Sequence, residues 1–181
     1  MLNARSPRTF GAWLTMLGAA LVVPAAFASE LHVGAAGVSI TPDRPVALAG
    51  QMHTRISKSV RSPIVANALA LESREGDRVL DQALLVACDL VSIPEPILRR
   101  SRELVATRIP GFDVSKLILS ATHAHTAPVM EEGFYEIPKD GVMQPGEYAD
   151  FLVARVADAA EAAWRGRKPS KAGWGLGHAV V

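Results

Sequence analysis

The chain has 181 residues, of which 49% are hydrophobic and 20% charged, with a formal net charge of +1. That length supports one domain with a real core, and the composition is ordinary for a globular protein. The basic residues are scattered and no aromatic-basic stripe appears, which argues against nucleic acid as a partner.

Residues 1–28 read as a secretory signal peptide. Arg5 and Arg8 form a positive start, residues 10–24 (FGAWLTMLGAALVVP) an apolar stretch, and Ala26-Phe27-Ala28 a small-x-small cleavage pattern. The apolar run is shorter than the ~20 residues of a spanning helix, so cleavage is expected rather than anchoring. The expectation is a secreted or periplasmic protein whose working domain is residues 29–181. Removing the two arginines leaves 17 Lys+Arg (19 − 2) against 18 Asp+Glu, a net charge of −1. Cys88 is the single cysteine, so no internal disulfide is possible. It lies in a solid apolar run, which makes it a core residue rather than a nucleophile.

Residues 31–40 (LHVGAAGVSI) predict a first strand, ended by Thr41-Pro42-Asp43. Residues 45–62 read as a loop containing His53 and Arg55, a solvated basic segment or part of a substrate rim. Residues 63–73 predict a second strand and residues 78–88 a third, buried one, with Glu75-Gly76-Asp77 as a hairpin-like turn between them. A helix follows over about 93–109, with Ser92 as N-cap, Pro94 in the first turn and Pro110-Gly111 as its stop. Residues 115–121 predict another strand, residues 146–164 a second long helix, and residues 172–181 a last strand.

Strand 78–88, helix 93–109 and strand 115–121 make a βαβ unit, whose strands pair in parallel through a right-handed crossover. The fold class expected is α/β, a mixed sheet with helices packed on it. In such sheets ligands sit beyond the carboxyl ends of the strands. Asp89 follows one of these strands and Thr122-His123-Ala124-His125 the other. Neighbouring strands lie ~4.8 Å apart, so Asp89 and the two histidines are expected to share a site.

In an extended segment, residues i and i+2 face the same way, so His123 and His125 should project together. Imidazole is a good zinc ligand, and a catalytic zinc has three protein ligands and a water. A carboxylate commonly orients a ligand histidine through its other ring nitrogen, a role open to Asp89. By itself the His-x-His pattern is equally compatible with two loop histidines bonded to backbone or water. The metallo-β-lactamase pattern is absent, since Thr126-Ala127-Pro128 follows the pair. An amidohydrolase barrel would place the pair after its first strand and needs a longer chain.

The run Leu117-Ile118-Leu119-Ser120-Ala121-Thr122-His123-Ala124-His125-Thr126-Ala127-Pro128 resembles the Ser-x-Thr-His-x-His-x-x-Pro segment of the neutral/alkaline non-lysosomal ceramidases. Val38-Ser39-Ile40-Thr41-Pro42, Gly50-Gln51 with Ile64-Val65-Ala66-Asn67-Ala68-Leu69, and Leu85-Val86-Ala87-Cys88-Asp89-Leu90 resemble further segments of that family in the same order. The resemblance covers about residues 33–130. It implies a zinc-dependent hydrolase of the amide in an N-acylsphingosine, with His123 as zinc ligand and His125 as a catalytic group beside the substrate. Asp89 is a candidate in the same site on the sheet argument. A lipid amide substrate also implies peripheral contact with membrane lipid.

The family's chains are longer, and its other ligands (a His, a Glu and a Tyr) come later. The chain reaches Val181 apparently inside a strand, so an interrupted or partial domain is expected. His178, Tyr135, Tyr148 and Glu131 are possible but unmatched substitutes for those ligands. Two other readings stay open: a metal-dependent hydrolase of another ester or amide on the same scaffold, and a domain too incomplete to be active.

Overall fold

The computed structural model describes residues 29–178. The expected signal peptide, residues 1–28, lies outside them. Five strands form one mixed sheet: β1 (Glu30–Ser39), β2 (Val65–Glu75), β3 (Arg78–Cys88), β4 (Leu117–Ala121) and β5 (Lys168–Ser170), in the order β4-β3-β2-β1-β5. Only the β3–β4 pair is parallel; the others are antiparallel. The crossover between β3 and β4 is helix α1 (Glu95–Arg108), and helix α2 (Pro145–Arg165) follows. The α/β reading and its βαβ unit therefore stand.

Side chains alternate across the sheet because its period is two. Ala66, Ala68 and Ala70 on β2, and Leu84, Val86 and Cys88 on β3, are buried beneath the helices. Helix α2 lies on β1 and β2 and also packs against α1. Its inward side carries Tyr148, Leu152, Val156, Ala159, Ala160 and Ala163. The small residues let the helix come close. At Gly34 of β1, an added Cβ would stand 2.0 Å from the Ala163 carbonyl oxygen, so only glycine fits. The opposite sheet face is apolar and open: Leu69, Leu85 and Ile118 share one register row and are 39%, 38% and 53% exposed.

Helix ends differ from expectation in one respect. Ser92 does not cap α1; the N-cap is Pro94, with no side-chain cap bond. Helix α2 instead has a capping box, in which the Gln144 side chain and Glu147 each satisfy the other's backbone.

The expected last strand over 172–181 is not formed among the described residues. Residues 171–178 have no regular structure, and Trp174 and Leu176 are 96% and 86% exposed. Nothing packs on this glycine-spaced segment, so no burial offsets the entropy of ordering it. The strand forms earlier, at Lys168–Ser170, where Arg167 stacks on Trp164 and pairs with buried Glu72.

Candidate metal and active site

The sheet's hydrogen bonding runs past the ends of β3 and β4. Asp89 N–H donates to the Val65 carbonyl at 3.0 Å, Thr122 N–H to the Cys88 carbonyl at 3.0 Å, and Ala124 N–H to the Leu90 carbonyl at 3.0 Å. Leu90 is fully buried and anchors this segment. The carboxyl ends of β3 and β4 thus carry Asp89 and the two histidines side by side, as the βαβ reading expects.

The histidines converge by a different route from strand alternation. His123 has φ 64°, in the left-handed region. This turn, unusual for a residue with a Cβ, sets the rings at 81° with centroids 4.7 Å apart. Their Nε2 atoms are 3.1 Å apart. Each Nδ1 meets a backbone carbonyl: His123 Nδ1 lies 2.8 Å from the Val91 oxygen, and His125 Nδ1 lies 2.8 Å from the Gly50 oxygen.

A carbonyl oxygen can only accept, so both Nδ1 atoms carry hydrogen. In the neutral rings both Nε2 atoms are then lone pairs aimed at each other. That contact is repulsive unless a cation, a proton or a metal ion, lies between them. Two nitrogens on a tetrahedral zinc at ~2.0–2.1 Å stand about 3.3–3.4 Å apart, close to the spacing found here. The pair therefore fits two adjacent positions of a zinc site.

Asp89 does not hold a ring. Its Oδ2 accepts from the Val65 N–H at 3.0 Å and its Oδ1 from the Thr122 hydroxyl at 3.3 Å. The Val91 carbonyl takes the place expected for the carboxylate at His123, because the ladder brings that backbone oxygen to the ring. Asp89 ties β2 to the residue before His123.

His125 is gripped by the 45–62 loop. The Gln51 side-chain amide donates to the His125 carbonyl, while its oxygen accepts from Arg55 Nη1 at 3.3 Å. Tyr135 Oη accepts from the Gln51 N–H at 3.0 Å and donates to the Gln51 carbonyl at 2.9 Å. Arg55 thus has a partner in this loop. Gly50, Gln51, Val91 and Tyr135 were not singled out as ring supports from sequence, since two of them act through backbone oxygens that any residue type carries.

Among the described residues, no group of three His, Cys, Asp or Glu is placed to hold a metal. His178 is exposed. Tyr148 is fully buried and donates to the Ile40 carbonyl at 2.9 Å. Tyr135 spends its hydroxyl on Gln51. Two clefts border the Gly50–Tyr135 region. One of about 440 Å³ is lined by Gln51, Met52, His53, Thr54, Phe134 and Tyr135, with Glu136. The other, of about 270 Å³, includes Gly50, Val91, Val129, Glu131 and Phe134. Cys88, one residue before Asp89, has its thiol pushed up to about 12 by burial, so it stays neutral and inert.

No family model matches the chain, and no curated protein matches it in sequence. Solved structures do share its fold. Neutral ceramidase from Pseudomonas aeruginosa superposes with a TM-score of 0.63 and 19% identity over 77% of this chain and 22% of that one. A ceramidase complexed with C2 gives 0.59 and 18% over 77% and 22%. The chain thus has a ceramidase-like fold and spans about a fifth of those chains' length.

Proposed function

We propose that His123 and His125 are part of a zinc centre in an exported amide hydrolase of the neutral ceramidase type, acting on an N-acylsphingosine or a related lipid amide. The observation that carries this reading is the convergence of two Nε2 lone pairs at 3.1 Å with both Nδ1 hydrogens already committed to carbonyls. The shared fold with ceramidases and the Ser-x-Thr-His-x-His-x-x-Pro wording support the substrate class.

His123 would hold the metal. When bound, zinc supplies a water of lowered pKa and polarises the amide carbonyl. His125 stands beside it with a bare Nε2, suited to take a proton from the attacking water and then to pass that proton to the leaving amine. Asp89 acts indirectly, by holding Thr122 and hence the turn at His123. The cleft of about 270 Å³ lined by Gly50 and Val91 opens beside both carbonyl supports.

Metal analysis of the purified protein, combined with hydrolysis of ceramide and of unrelated esters and amides, tests this. Bound zinc with ceramide cleavage, both lost in His123→Ala, is the expected result. Cleavage of other esters or amides with ceramide untouched would select the alternative hydrolase on this scaffold. Activity without zinc would overturn the proposal.

A further inference from the structure

The 45–62 loop does more than border the site. Gly50 has φ +72°, and a Cβ added there would lie 2.4 Å from His125 Nδ1 and 2.8 Å from its Cε1. The ring therefore rests directly on the Gly50 backbone, and the Gly50 carbonyl receives its Nδ1–H at 2.8 Å. The next residue holds the other end of the same histidine, through the Gln51 amide on the His125 carbonyl. Arg55, which can only donate, engages the Gln51 side-chain oxygen and so turns the Gln51 amide nitrogen toward His125.

The loop itself hangs on Tyr135. Its single hydroxyl closes both backbone groups of Gln51, at 3.0 and 2.9 Å. Its ring packs with Ala47, Ala49 and Val129. The loop is also tied to the segment just past His125, through Ala49 N–H to the Ala127 carbonyl at 2.8 Å and Val129 N–H to the Ala47 carbonyl at 2.9 Å. His123 has a support of its own, since its Nδ1 is held by the Val91 carbonyl.

We propose that Tyr135, acting through Gln51 and the Gly50 carbonyl, is a positioning residue that keeps the proton of His125 on Nδ1 and so presents its Nε2 lone pair toward His123. This rests on the zinc reading for its purpose but not for its test. A ring without the Gly50 carbonyl is free to carry hydrogen on Nε2, which would point that hydrogen at the place where His123 would hold the metal. Partners of this kind orient metal-bound histidines and set their affinity.

The test is side-chain nitrogen NMR of the metal-free chain, at one pH well above the ordinary histidine range. It compares the parent with Tyr135→Phe, which keeps the ring and removes the hydroxyl. In the parent, His125 Nδ1 is expected to carry hydrogen. In Tyr135→Phe a population with Nδ1 bare and Nε2 protonated should appear at His125, while the His123 proton stays on Nδ1. Zinc titration of the same samples should then show about 10–100-fold weaker binding. If Tyr135→Phe does not fold, Tyr135→Met, which also lacks the hydroxyl, takes its place. A His125 tautomer unchanged in the variant overturns the inference, even if zinc binds. A tautomer that shifts in a chain that ignores zinc upholds the inference and counts against the metal reading.

Discussion

His123 and His125 face each other through Nε2 atoms 3.1 Å apart, each ring backed by a carbonyl oxygen at 2.8 Å. The two supports belong to different loops: Val91 follows β3, and Gly50 lies between β1 and β2. Removing either imidazole leaves one nitrogen where two converge. His123→Ala should weaken zinc binding by more than the ~100-fold that loss of a supporting partner costs, and His125→Ala by about 10–100-fold. Calorimetric titration checks this, with retention of the helical signal showing that the fold is intact.

Gly50→Ala places a methyl group inside the His125 ring and forces a left-handed backbone on alanine. The backbone term alone is about 1–2 kcal/mol. Urea unfolding should show at least that loss. Because the ring must move as well, zinc binding should fall more than in an equally destabilised variant elsewhere, such as Leu152→Ala in the core.

Tyr148→Phe removes the hydrogen bond to the Ile40 carbonyl from a fully buried pair. The carbonyl is left without that partner, at a cost of about 1–3 kcal/mol. A lower urea midpoint with an unchanged slope is expected, and unaltered zinc affinity would separate this core role from the site.

Cys88 supplies a pH dependence. Its thiol is held at about 12 when folded, mainly by burial and secondly by the charge of Asp89. A raised folded value means its contribution is complete below the unfolded value, about 9, and is lost as pH rises toward the folded one. In that window the unfolded chain ionises and the folded chain does not. Stability relative to Cys88→Ala should therefore decline with rising pH, approaching about 1.4 kcal/mol per pH unit. Stability curves of the two proteins from pH 8 to about 10 measure it. Native Cys88 should also resist alkylation until denaturant is added.

Asp89→Ala frees the Val65 N–H and the Thr122 hydroxyl together. The expected result is a loss of about 1–3 kcal/mol together with weaker zinc binding, because the segment that turns at His123 loses its tie to β2. Urea unfolding and zinc titration of one sample read both effects. A stability loss with zinc affinity unchanged would confine Asp89 to the sheet.

Much of this molecule was legible in the chain. Apolar runs marked β1 to β3, with alternation in β2, the Glu75-Gly76-Asp77 turn marked the β2–β3 hairpin, and Pro94 and Pro110 bracketed α1, because these patterns answer to local geometry. The βαβ order placed Asp89 and His123 at adjacent strand ends, because handedness and parallel pairing leave little choice. Local pattern failed at residues 172–178, where strand-like residues find nothing to pack on, and at Ser92, which stands too far ahead of the helix to cap it.

The features that bring the two histidine rings together depend on the tertiary structure. No spacing rule predicts a left-handed His123, a Val91 carbonyl replacing Asp89 at its ring, or a Gly50 carbonyl reaching His125 from 75 residues away. Side-chain type is written in the sequence, but every residue carries a carbonyl, and only the folded backbone decides which one meets a ring nitrogen. The sequence by itself thus singled out two imidazoles and the end of the sheet at which they lie. The tertiary structure decided which nitrogen of each is free, since that follows from where two distant loops deliver their oxygens.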